Sequence, residues 1–158
     1  GTWQYGQQYI AWPLVETASA LPGAPPEISL YAVEGFWGAI EKGMDVLRRY
    51  TIRQDGFVSV NAPMSGGELI TKPLTFDGNS LLLNFSTSAA GEIKVELQDK
   101  NGKPLKGFSL EDCEPVFGDT IDRTVVWKKG ADLRSLKGKP VKVRFVLKDA
   151  DLYSFRFH

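Results

Sequence analysis

Residues 91–98 read GEIKVELQ, and their pattern decides the fold class. Ile93, Val95 and Leu97 alternate with Glu92, Lys94 and Glu96. Side chains on a strand point to opposite faces with a period of two, so the run predicts one dry face and one wet face. An antiparallel sheet with one side on a core has this pattern. Segments of the same kind lie upstream: LRRYTIR over 47–53, FVSVNAP over 57–63, GELITKPLTF over 67–76 and SLLLNFSTS over 80–88. Only short Gly, Asp, Asn, Ser and Ala runs interrupt them, namely DG, SGG, DGN and AAG.

Working outward, Asp55-Gly56 supplies the positive backbone angles of a tight hairpin, which predicts that 47–53 pairs directly with 57–63. Pro73 removes a ladder donor and predicts a sheet edge or a bend between Thr71 and Leu74. ISLYAVE at 28–34 places Ile28, Leu30 and Ala32 on one face, and DRTVVWKKG at 122–130 does the same for Val125 and Trp127. VKVRFVLKD from Val141 and LYSFRF from Leu152 predict a closing hairpin through a tight DAD link, with Tyr153, Phe155 and Phe157 together. ADLRSLKGK is long enough for a turn or two of helix, started by Asp132. The count comes to nine or ten strands with turn signals between them. The expected fold is an all-β, two-sheet antiparallel β-sandwich, jelly-roll-like.

Before the sandwich, residues 1–26 are expected to be an aromatic and Pro-rich lead-in, with Trp3, Tyr5, Tyr9 and Trp12 first and Pro22, Pro25 and Pro26 after. Proline fixes its own φ and pushes its predecessor toward extended conformations, so LPGAPPE predicts a stiff link. The sandwich domain is then 27–158.

Composition narrows the function classes. The 158 residues, 42% of them hydrophobic, are enough for one ordinary core without disulfides or metals. Nineteen basic residues balance nineteen acidic ones, so the field that would draw the chain to nucleic acid or an anionic membrane is missing. No apolar run approaches the roughly 20 residues that cross a bilayer. Cys113 is the one cysteine and His158, the last residue, the one histidine. That excludes an intramolecular disulfide and a thiolate zinc site, and it argues against Cys-His and Ser-His-Asp catalysis.

Three groups of residues have chemistry worth following. Phe36 and Trp37 lie in GFWGAIEKGMD, a glycine-broken loop where a flat ring can stack on a sugar face. Arg48, with Arg49 and Arg53, offers planar donors for a carboxylate or a hydroxyl pair. Glu111, Asp112, Glu114, Asp119 and Asp122 crowd the aperiodic stretch 103–122. Loop acids can supply the six to eight oxygens that calcium wants, although the spacing fits no EF-hand. Two carboxylates at the right separation can also hydrolyse a glycoside.

The series ISLYAVEGFW, LRRYTIRQDGFVSV, GGELITKPLTFDG, LLLNFSTSAAGEIKVELQD, GFSLEDCEPVFGD and GKPVKVRFVLKDADLYSFRF also resembles a known module. It is similar, over about residues 27–157, to the C-terminal β-sandwich of bacterial proteins related to glycoside hydrolase families 32 and 43. There the sandwich follows a five-bladed β-propeller that carries the active site. The resemblance implies a secreted or periplasmic accessory module with no catalytic residues or cofactor of its own. Its partners would be an upstream catalytic propeller in the same chain and a glycan, with no nucleic acid or membrane. Phe36, Trp37, Arg48, Asp112 and Asp119 are the residues expected to bind sugar; the alternatives are a domain that only braces the propeller and a stand-alone hydrolase.

Overall fold

A computed structural model describes residues 8–34 and 46–158. The chain is all-β, with antiparallel sheets, and forms two compact units, Gly1–Phe57 and Val58–His158.

The first unit contains a three-stranded sheet in the order β1-β2-β3: β1 (Gln8–Thr17), β2 (Glu27–Glu34) and β3 (Val46–Arg53). Part of the aromatic lead-in is therefore a strand. The Pro-rich stretch after it is the turn that returns the chain to β2, with the Ala24 N–H on the Leu21 carbonyl at 3.1 Å and Gly23 at φ +78°. Pairing between β1 and β2 slips between Ala11 and Val15, where Pro13 has no N–H to give. The register sets Ile28, Leu30 and Ala32 on one face as expected, opposite Ile52, Tyr50 and Arg48. The other face carries a polar cluster. Arg49 donates from Nε to Ser29 Oγ at 2.7 Å and from Nη2 to Thr17 Oγ1 at 2.8 Å, and Glu27 lies 3.8 Å away. Ser29 is fully buried, so these bonds replace the water that its hydroxyl has lost.

The second unit holds a five-stranded sheet. Its path runs β4 (Val60–Ala62), β8 (Lys142–Phe157), β6 (Leu81–Gln98) and β7 (Asp119–Thr124), with β5 (Gly67–Ile70) also on β8. β4 and β5 lie along different parts of β8, so they form one broken edge. Among the described residues there are eight strands, fewer than the nine or ten expected. The runs 80–88 and 91–98 are a single strand, β6, and the presumed closing hairpin is a single strand, β8.

The two merged breaks have one cause. Thr87 pairs with Ala150 and Glu92 with Lys148, so Ser88 to Gly91 face the single residue Asp149. AAG and DAD are thus the two sides of one β-bulge, which bends both strands without ending either. Asp149 takes φ +43°, and a Cβ on buried Gly91 would meet the Asp149 carbonyl oxygen at 2.3 Å. Turn-forming residues serve a kink here, because the ladder on both sides of it repays the lost pairs.

The predicted hairpin at Asp55-Gly56 does not form. Asp55 does take φ +53° and the Gly56 N–H does close on the Arg53 carbonyl at 2.9 Å, but the chain then leaves the first unit. β3 stays on β2, and β4 pairs with β8 through Val60 and Leu152. A turn residue fixes the local angle and leaves the next partner to burial. Pro73 behaves as expected of a sheet edge: β5, on the outer side of β8, stops at Ile70, and Leu74 then bridges to Val141.

One face of this sheet is the core. Leu81, Leu83, Phe85, Ile93, Val95 and Leu97 from β6 and Val143, Phe145 and Leu147 from β8 are buried, together with Trp127, Leu133 and Cys113 from the later chain. Phe157 stacks on Phe76 with ring centres 3.9 Å apart, while Tyr153 sits at a second register slip and turns its hydroxyl to Ser86. Tyr153 is therefore separated from Phe155 and Phe157. The opposite face is not uniformly wet, as the alternation had implied. Glu96 is only 3% exposed and Gln98 is buried, because the chain after the strand folds back and the Leu110 N–H reaches Glu96 Oε2 at 3.2 Å. Gln98 Nε2 donates to Glu96 at 2.8 Å, and Arg144 lies between Glu96 and Glu68. A buried carboxylate is tolerable only with such partners.

Beyond β7, the outer edge of β6 is closed by irregular chain. Ile93 exchanges both main-chain bonds with Val116; the Leu97 N–H goes to the Phe108 carbonyl and its oxygen accepts from Leu105. Between them side chains take over: the Val95 N–H meets Cys113 Sγ at 3.2 Å, and the Trp127 indole donates to the Val95 oxygen at 3.0 Å. The helix expected near Asp132 is one 3-10 turn over Arg134–Leu136, whose first N–H donates to the Asp132 carboxylate at 2.9 Å.

Two substitutions check this account. Gly91→Ala is expected to destabilise by about 2–3 kcal/mol in urea unfolding, because the new methyl meets main chain on β8 and cannot be accommodated by a side-chain shift. Trp127→Phe is expected to cost about 1–3 kcal/mol, from the Val95 oxygen left without its donor plus lost volume.

Candidate functional site

β7 is the terminal strand of the second sheet, with a partner on one side only among the described residues. Exposed sheet edges invite pairing with other chains, and charged residues and bulges discourage it. Both devices are present. Leu83 pairs with Arg123 and Phe85 with Thr120, so β7 carries an extra residue at Ile121–Asp122 and twists there. Asp119, Asp122 and Arg123 supply charge, and all three are exposed.

The same arrangement makes a groove. Gly118, at φ +109°, is clipped to Thr87: its N–H donates to Thr87 Oγ1 at 3.0 Å, and its carbonyl accepts from the Thr87 N–H at 2.8 Å. The neighbouring Phe117 is 62% exposed. From Phe117 the depression runs along β7 to Val126, with an open volume of about 650 Å³, past Asp119, Thr120, Asp122, Arg123 and Thr124. Thr120 Oγ1 donates to Asp122 Oδ1 at 3.1 Å. An exposed ring beside carboxylates, a guanidinium and hydroxyls can take a flat apolar face with hydroxyl groups at its rim.

The residues expected from sequence to bind sugar are dispersed. Phe36 and Trp37 lie outside the described residues. Arg48 is on the first sheet, where its Nε donates to Glu34 Oε2 at 2.7 Å and the Tyr50 hydroxyl takes the other Glu34 oxygen. Tyr50 first and Arg48 second hold the Glu34 carboxyl below its usual range, and Glu34 in turn raises Arg48. Asp112 accepts from Ser109 Oγ at 2.9 Å and lies 3.9 Å from Lys128 Nζ, in a tight turn away from the groove lining. Asp119 alone of the set is in the groove. No three His, Cys, Asp or Glu side chains among the described residues come together as a metal site.

Phe117 and Arg123 are the groove residues that the sequence reading passed over. The signal available was a bulky aromatic before glycine in PVFGD, inside a stretch without periodicity. Cys113, by contrast, has a structural use. Burial is the main cause pushing its thiol above the ordinary value, the Val95 N–H opposes that, and the sulfur occupies a place in the β6 edge. A thiol in that state is a poor nucleophile.

No helix among the described residues is long and apolar enough to cross a membrane. Compared with known proteins, the chain matches no family model, no curated protein and no solved structure.

Cys113 gives a direct check on the closed edge. In the native chain it is expected to react with an aromatic disulfide reagent at least about tenfold more slowly than in urea, because protonation and burial both withhold the thiolate. Equal rates would place the sulfur in solvent and undo its assignment to the Val95 N–H.

Proposed function

We propose that this chain is a non-catalytic accessory module of a bacterial carbohydrate-active protein, and that it binds glycan. The groove along β7 carries the reading: an exposed ring, Phe117, flanked by Asp119, Asp122, Arg123 and two threonines. Sugar rings present a patch of C–H groups on one face and hydroxyls around the rim. A lone exposed aromatic serves the first, and carboxylate and guanidinium groups serve the second. Asp119 and Asp122 stand exposed on an open edge, and an accessory site needs nothing more enclosed.

The resemblance of residues 27–157 to the sandwich that follows a glycoside hydrolase propeller supplies the context. In this proposal the chain is of the jelly-roll-like β-sandwich class, hydrolysis belongs to an upstream propeller, and the whole protein acts outside the cytoplasm. A second reading, in which the chain chiefly braces that propeller, is favoured by the first unit. On one face of its sheet Tyr9 and Leu47 flank Val33 and are 51% and 67% exposed. Apolar surface of that kind marks an interface when it is contiguous.

The test is calorimetric titration with a panel of soluble glycans. Phe117→Ala is expected to weaken binding by about tenfold or more, the worth of one stacked ring, with the melting temperature unchanged because the ring is already solvated. Absence of binding across the panel would favour bracing. Release of reducing sugar by the chain would make it a hydrolase.

A further inference from the structure

Resting on the glycan-binding reading, we infer that the β7 groove discriminates by charge, accepting neutral glycans and rejecting those that carry uronate or sulfate groups. Its lining carries more negative than positive charge. Two carboxylates, Asp119 and Asp122, face the groove against one guanidinium, Arg123; the remaining lining residues carry no formal charge. An anionic sugar laid along the length of β7 meets two like charges and one opposite charge.

The geometry places that excess within reach of the ligand. Asp119 and Asp122 lie within four positions of each other on one short strand, and Phe117 precedes the strand by two residues. A ring stacked on Phe117 therefore has at least one carboxylate in its immediate surroundings. Carboxylates accept hydroxyl protons, which a neutral sugar offers in plenty. A sugar carboxylate or sulfate offers only further acceptors, which leaves Arg123 as the one charged donor in the lining. Like charges that face each other across an interface serve mainly to exclude the wrong partner.

Two pairs of polymers that share a backbone and differ in charge provide the probe. One pair is dextran and dextran sulfate; the other is methyl-esterified polygalacturonate and the free acid. Affinity electrophoresis and calorimetry at low salt are expected to show the neutral member of a pair bound at least about tenfold more tightly, with the gap narrowing as salt screens the groove. The double substitution Asp119→Asn, Asp122→Asn is expected to narrow the same gap at constant salt, and Phe117→Ala to weaken the neutral member. Circular dichroism and melting temperature confirm that each variant is folded.

Equal affinity within a pair, or tighter binding of the charged member, overturns the inference while leaving glycan binding intact. A gap that survives the double substitution overturns it as well, since the discrimination then lies elsewhere. Binding that survives Phe117→Ala undiminished removes the groove from the account. Failure of the chain to bind any of these polymers, or any member of the wider glycan panel, ends the functional reading itself and this inference with it.

Discussion

The main-chain groups on the outer edge of β6 are the constraint on which the second unit depends. A strand of this length presents a row of donors and acceptors, and each one buried without a partner costs about 1–3 kcal/mol. β7 covers only the first part of that edge, around Leu82 to Ser86. For the remainder, residues 105–127 have to provide bonds at a strand's spacing without being a strand. They do so by alternating sources: Val116 main chain, then the sulfur and indole of Cys113 and Trp127, then Phe108 and Leu105 main chain. The loss of periodicity over this stretch follows from that duty. Residues chosen to reach particular atoms on a neighbouring edge cannot also keep a two-residue rhythm.

This division explains what could be read from the sequence. The alternations at 93–97 and 141–147 are written by burial on one face, and both appear in the structure as the two central strands. Burial is local to each residue, so a period of two survives without knowledge of partners. Where strands end is a different matter. Asp55-Gly56, AAG and DAD all carry the chemistry of tight turns, yet the first closes a local turn at the end of the first unit and the other two form one bulge. Positive φ serves a turn at Asp55 and a kink at Asp149, and only the far partner decides which. Glu96 failed for a related reason: an acid on an alternating strand reads as solvated until the chain that covers it, at Leu110, is in place.

The candidate site shows the same limits. Asp119 could be singled out because acids in an aperiodic stretch are conspicuous, but the same criterion also selected Asp112, which a turn consumes through Ser109. Arg48 is bound on the first sheet to Glu34, which also accepts from the Tyr50 hydroxyl. Phe117 left no such trace. Its neighbour Gly118 is held by Thr87, more than thirty positions earlier in the chain. The groove is thus a by-product of edge protection on β7, where charge and a bulge keep other strands away and leave an open, polar-rimmed trough.

The shared bend of β6 and β8 has a consequence for how such a chain can diversify. Ser88, Ala89 and Ala90 are exposed and stand outside the pairing between the two strands. Ordinarily one residue gained or lost in a strand turns every later side chain to the wrong face. Here the slack already exists at a single point, and lengthening it leaves Ile93, Val95 and Leu97 where they are. A lineage can therefore grow a new surface loop at this position while Gly91, pressed against the opposite strand, stays fixed as the anchor.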